Sequence, residues 1–304
     1  MRPSRTLRIA CKGDPVDRRN LLKAALAGAA VMALNPRMLR AADAGDAKAK
    51  LAALEHQHGG RLGVAILDTG NGQRVGYREH ERFLLCSTFK MLLAAAVLAR
   101  VDQGHEQLDR RLVFGKDAVL EYAPVTSKHV GAPGMRIGEL CQAAIALSDN
   151  TAANVLLAHL GGPAAVTDYV RQLGDPVTRL DRTEPELNRP SADGLLDTTT
   201  PDAMLGDLQT LTLGTALADA SRKQLIEWLC ETTTGMHLLR AGVPGDWRVG
   251  EKTGSGDTQR NDVAIMWPPQ RKPVLVAAYY ENKGASDDQR AVVLAEVGRV
   301  VAAL

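Results

Sequence analysis

Ser87-Thr88-Phe89-Lys90-Met91-Leu92-Leu93-Ala94-Ala95-Ala96-Val97-Leu98-Ala99-Arg100 is the stretch on which the reading of this 304-residue chain turns. Residues 89–100 contain neither Gly nor Pro and are rich in Ala, Leu and Met, which predicts a buried helix. Ser87 stands at the first turn of that helix, where the positive end of the helix dipole favours an alkoxide. Lys90, three residues on, shares its face and can reach that oxygen. A lysine desolvated in a cleft is neutral part of the time and can then accept a proton. One S-x-x-K alone is a weak signal, so its surroundings carry the weight.

Upstream, Leu62, Val64 and Ile66 alternate with small Gly63 and Ala65, and residues 61–69 read as a strand. The turn-rich 68–73 leads into 74–77 as a hairpin partner. Downstream, helices are expected at 137–148, 151–160, 163–173, 201–211 and 220–232. Residues 175–200, with Pro176, Pro185 and Pro190, have little helical period and form a long loop of the kind that is usually functional. Strand-like runs follow at 246–252, 262–267 and 272–280, with a turn at Pro268-Pro269-Gln270. Ser286 or Asp287 caps a last helix to about Leu304. Strands at both chain ends with helices between them imply an α+β architecture. One antiparallel sheet with flanking helices is built from 45–79 and 231–304, an all-helical lobe from 80–230, and a cleft lies where the lobes meet.

Composition excludes several classes. With 45% hydrophobic residues and a net charge of +2 the chain is not mainly disordered, and 28 Gly and 4 Cys exclude collagen-like and disulfide-stapled scaffolds. No basic cluster suggests nucleic acid as a partner. Residues 1–44 carry nine bases against three acids, and Arg18-Arg19 with Asn20-Leu21-Leu22-Lys23 precedes an apolar run from Ala24 to Leu34. That pattern is an export leader similar to a twin-arginine signal, too short to span a bilayer, with cleavage expected after Ala42-Asp43-Ala44. Without it, 28 bases and 32 acids of the original 37 and 35 leave a net −4. Periplasmic or secreted localisation, contact with the export machinery, no stable membrane anchor and a monomer are the expectations. His56 and His58 stand at i, i+2 with no H-x-H-x-D set, so neither a metal site nor any other cofactor is expected.

Two further motifs bear on chemistry. Ser148-Asp149-Asn150 lies at a helix junction, where Asp149 suits a cap. Lys252-Thr253-Gly254, with Ser255-Gly256 after it, places a cation and hydroxyls along a strand. S-x-x-K, S-D-N and K-T-G occur in that order at spacings of 61 and 104 residues, the signature of class A β-lactamases and penicillin-binding proteins. From about Leu51 to Leu304 the chain resembles a class A serine β-lactamase. Glu184-Pro185-Glu186-Leu187-Asn188 in the long loop looks like the glutamate motif that these enzymes carry and the transpeptidases lack. This disfavours a D,D-peptidase or a β-lactam sensor.

The resemblance implies hydrolysis of β-lactam antibiotics, and resistance to them, through an acyl-enzyme on Ser87. Lys90, or Glu184 through a water, would be the acylation base. Ser148 would protonate the departing nitrogen, and Glu184 with Asn188 would activate the deacylating water. The N–H groups of Ser87 and Ser255 would form the oxyanion hole. Lys252, Thr253, Gly254 and Ser255 would frame the substrate carboxylate, Asn150 would hold the acylamino group, and Tyr122 would wall the cleft. Arg182 and Asp197 match the ion pair that pins the loop, while Arg240, Arg260 and Arg290 are equal candidates for a carboxylate-assisting arginine. Certain relatives pair a cysteine at the Cys86 position with one at the place held here by Gly256. Another family disulfide would join Cys141 to the position of Ala94. Neither can form, so no disulfide is expected, Cys230 included, and the thiols behave as small hydrophobes.

Overall fold

The computed structural model describes residues 36–304, with side chains from Ala44 onward. The twin-arginine pair and the apolar run of the expected leader lie outside the described residues. The compact unit is Ala42–Leu304. The longer helices among the described residues are α1 (Pro36–His58), α2 (Phe89–Asp102), α3 (Ile137–Ala146), α4 (Asn150–Leu160), α5 (Pro163–Gln172), α6 (Pro201–Thr212), α7 (Asp219–Cys230) and α8 (Asp287–Ala302). The principal strands are β1 (Arg61–Asp68), β2 (Gln73–Tyr77), β3 (Arg248–Ser255), β4 (Gln259–Trp267) and β5 (Val274–Glu281).

These strands form one antiparallel sheet in the order β2-β1-β5-β4-β3. β1 pairs with β5 from Arg61↔Glu281 to Asp68↔Val274, so the two ends of the chain share a sheet as the sequence implies. Alternation sends Leu62, Val64, Ile66, Val276 and Tyr280 into a core with α1 and α8. Ala65, Leu67, Leu275, Ala277 and Tyr279 face the opposite core, which contains α2 through α7. Both faces are covered, which is why β1 and β5 read as nearly continuous apolar runs. Helix α2 is buried from Phe89 to Ala99, the fate of a helix apolar all round. Each of its leucines contributes about 1.5–3 kcal/mol by leaving water. Ser286 caps α8, its hydroxyl accepting from Gln289 N while Gln289 Oε1 accepts from Ser286 N.

Four local differences from the sequence reading have physical causes. Helix α1 departs from the sequence reading, which places residues 36–44 in the leader; Ala47, Leu51 and Leu54 make a buried stripe along its second half. Ser87 sits in a 3-10 turn, Cys86–Thr88, with α2 starting at Phe89. Helix α3 stops at Ala146, and Ser148 then takes φ +58°, a left-handed conformation that no α-helix can pass through. β3 runs on to Ser255, three residues past the end expected at Lys252, so the whole K-T-G motif lies on the strand where the sequence puts it.

Candidate active site

The Ser87 turn packs on the face of the sheet over β3, its edge strand, and the neighbouring β4. Gly254 permits that approach: a β-carbon there would stand 3.0 Å from Leu85 O and 3.2 Å from Cys86 Cβ. Asn261 on β4 fixes the same segment by donating from Nδ2 to Leu84 O at 2.9 Å. The turn delivers Ser87 Oγ to a cleft of about 410 Å³. Ser87, Tyr122, Ser148, Asn150, Glu184, Asn188, Thr253 and Ser255 all line it. The expected Lys90, Lys252 and Gly254 are buried beneath its floor.

Lys90 is fully buried and organises the centre. Its Nζ donates to Ser87 Oγ at 3.0 Å, Ser148 O at 2.8 Å and Asn150 Oδ1 at 2.6 Å, and lies 3.0 Å from Glu184 Oε1. Burial pushes the Lys90 ammonium below its ordinary pKa, and the Glu184 carboxylate opposes that shift. Ser87 Oγ in turn donates to Glu184 Oε1 at 3.2 Å. On the other side Lys252 Nζ donates to Ser148 Oγ at 3.1 Å and to Thr253 O at 2.7 Å. Burial, then the neighbouring Lys90 charge, holds Lys252 well below the usual lysine range. The Ser148 hydroxyl thus bridges two lysines whose protons are loosened.

The elements that aim these groups are themselves tied. Asp149 caps α4 through Ala152 N at 2.9 Å, and its carboxylate also accepts from Val125 N and Thr126 N at 3.0 and 2.9 Å. This carries the 122–126 segment, and with it half-exposed Tyr122, to the cleft mouth; Asn150 N donates to Tyr122 O at 3.1 Å. In the long loop Asp197 is fully buried, accepting from Arg182 Nε at 2.5 Å and from Asp181 N and Arg182 N. Its own carbonyl accepts from Leu85 N at 2.8 Å, so the neck of the loop and the approach to Ser87 are one hydrogen-bonded unit. Asn188 Nδ2 donates to Glu184 Oε2 at 2.7 Å, while Asn188 Oδ1 is buried and unpartnered among the described residues.

Three site residues were missed by sequence reading. Asn154 holds Glu184 by both backbone groups, with Oδ1 accepting from Glu184 N at 3.0 Å and Nδ2 donating to Glu184 O at 2.8 Å. Its signal was available: it stands four residues after Asn150, on the same face of α4. Thr234 lines the cleft with its hydroxyl 2.6 Å from that of Thr253. Asn261 had no local signature. Of the three arginines, Arg260 lines the cleft and donates to Ser255 Oγ at 2.7 Å. Arg240 pairs instead with Glu251, and Arg290 with Asp287, both away from the cleft lining. Cys86, Cys141 and Cys230 are free thiols, each pushed to a higher pKa by burial. Among the described residues no cluster of His, Cys, Asp and Glu could hold a metal ion, and no helix is long and apolar enough to cross a membrane.

This arrangement has counterparts. Residues 46–304 match the model of a beta-lactamase enzyme family. The chain is 48% identical to beta-lactamase L2 of Stenotrophomonas maltophilia over 82% of either chain. It is 45% identical to beta-lactamase CTX-M-8 of Citrobacter amalonaticus, covering 86% of this chain and 89% of that one. A solved ancestral (GNCA) class A beta-lactamase superposes with a TM-score of 0.82 at 58% identity, covering 84% of this chain and 98% of that one. A fold, an ordered set of motifs and identity over most of its length all agree: the chain belongs to the beta-lactamase enzyme family and is a class A serine β-lactamase.

Proposed function

We propose that this enzyme opens the lactam ring by attack of Ser87 Oγ on the carbonyl carbon and hydrolyses the resulting ester with a water activated by Glu184. The observation that carries this is Ser87 Oγ standing 3.2 Å from Glu184 Oε1 and 3.0 Å from Lys90 Nζ. All of Lys90's near neighbours are acceptors, which is the setting of an ammonium, and Ser87 donates toward Glu184. Glu184 therefore takes the serine proton as the Oγ–C bond forms, and the Ser87 and Ser255 N–H groups stabilise the oxyanion. As the C–N bond breaks, Ser148 passes its proton to the nitrogen and is resupplied from Lys90, which regains a proton from Glu184. The carboxylate is then free to deprotonate water. Asn188, bound to Oε2 and with its Oδ1 unpartnered, is placed to hold that water.

Burial of Lys90 favours a second reading, in which neutral Lys90 is the acylation base. Glu184→Gln separates the two: acylation slows by about 10²–10⁴-fold if Glu184 takes the proton and stays near normal if Lys90 does. The substrate carboxylate would meet Lys252, Thr253, Ser255 and Arg260, the amide side chain Asn150, and Tyr122 the apolar edge of the ligand. A chromogenic cephalosporin checks the whole: the enzyme turns it over many times, whereas Ser87→Ala is silent. Steady turnover by Ser87→Ala would remove that residue from its role.

The organisation of the chain belongs to the same proposal. Residues 45–79 with 231–304 make the sheet lobe and 80–230 the helical lobe, the cleft running between them. Residues 1–44 act as a twin-arginine leader delivering a monomer to the periplasm or medium. Arg18→Lys with Arg19→Lys then keeps activity in the cytoplasmic fraction, and unchanged export would refute the leader reading.

A further inference from the structure

Behind the Ser148 segment lies a second cavity of about 780 Å³, larger than the catalytic cleft and within the range that encloses a drug-sized molecule. Its floor is apolar, with Val125, Met135, Ala143 and Leu147 among the lining side chains. Its mouth is polarised. Arg111, Lys128 and His129 come from the loop side; Glu139 and Glu231 come from the α3 side. The acids have partners, Glu139 accepting from Arg136 N at 2.8 Å and Glu231 from Gln142 Nε2 at 2.6 Å. Arg111 uses one N–H on Gly134 O at 2.8 Å. Among the described residues Lys128 and His129 make no side-chain hydrogen bond or ion pair. Lys128 and His129 are thus the rim side chains left without any partner among the described residues, set on the loop side over an apolar floor.

The walls of this cavity continue into the catalytic cleft. Ala146 and Leu147 run directly into Ser148. Thr233 N donates to Ala146 O at 3.1 Å, and the next residue is Thr234, whose hydroxyl meets that of Thr253. Val125 N donates to the Asp149 carboxylate at 3.0 Å, beside Ser148. Three wall segments thus lead, within one or two bonds, to groups that line or position the site.

We propose that this cavity binds a small amphiphilic anion, an aromatic or aliphatic carboxylate or sulfonate, with its charge at Lys128 and His129, and that occupancy changes turnover through the shared walls. The binding arm of the test is independent of the hydrolytic reading; the kinetic arm rests on it. Anilinonaphthalene sulfonate titrated into the folded full chain is expected to show one saturable fluorescent site. Binding should persist when Ser87 is acylated in Glu184→Gln and weaken about tenfold in Lys128→Glu/His129→Glu, the loss expected for setting two exposed carboxylates where the anion would sit. That double variant, lying outside the catalytic machinery, should turn over cephalosporin normally in the absence of dye. Saturating dye should alter kcat while leaving KM within about twofold, roughly a third of the free energy of a tenfold binding effect. Absence of saturable binding, loss of binding on acylation, indifference to the double substitution, or bound dye without any change in kcat would each overturn the proposal.

Discussion

Ser148, Cys86 and Asp197 are non-glycine residues held at φ +58°, +43° and +55°, and each adjoins the site. Such conformations cost of order 1–3 kcal/mol apiece and persist where surrounding bonds over-determine them. Around Ser148 those bonds come from Lys90, Lys252 and the Asp149 cap; around Asp197 they come from Arg182, Asp181 and Leu85. None of this strain was legible in the sequence, since no glycine marks it. The side chains that gather at the cleft were legible as candidates, because proton transfer restricts residue type and helix spacing restricts offsets. Asn154 belongs to the same scale. It touches no reacting atom but fixes the Glu184 backbone by two hydrogen bonds. Asn154→Ala should lower kcat by about 10²-fold, the usual consequence of a misplacement near 1 Å, with acyl-enzyme accumulating and KM falling. Stopped-flow kinetics checks this; an unchanged deacylation rate would show that the loop alone positions Glu184.

At the scale of elements, α6 packs against the sheet and brings Asp207 into the core, 2% exposed, beside Asp175. Burial first, and then the Asp175 charge, pushes the Asp207 carboxyl up to about 9 from 3.8. Folding therefore takes up a proton between these values, and the contribution of this group to stability falls as pH rises from about 4 to about 9. Asp207→Asn removes the titration. Its stability advantage should be negligible near pH 4, about 2–4 kcal/mol at pH 7, and largest at pH 9 and above. Urea unfolding of both proteins across that range is the measurement; a constant difference would place the ionised carboxylate in the native state. Element positions were mostly readable, because periodicity and caps act locally. β1, α2, α4 and α5 fall within one or two residues of expectation. The end of α3 and the extension of β3 were not readable, because tertiary contacts at Ser148 and beside the Ser87 turn set them.

Across the whole molecule, Ser87, Ser148, Glu184 and Lys252 are far apart in sequence and converge because the first and last strands close one sheet. Its edge strand β3 then supplies one wall of the cleft, the helices supply another, and the pinned loop lowers Glu184 between them. Ordered motifs announced the partners; only the fold showed that the second large cavity shares their walls. The charge is divided unevenly along the chain, with a basic excess in residues 1–44 and a net −4 over residues 45–304. The central claim is a serine acyl-enzyme relieved by Glu184, and intact-mass spectrometry of Glu184→Gln mixed with a penicillin tests it most directly. The account predicts a long-lived adduct of the whole antibiotic, mapped by peptide analysis to Ser87. Turnover at the wild-type rate without an adduct, or an adduct on any other residue, would contradict it.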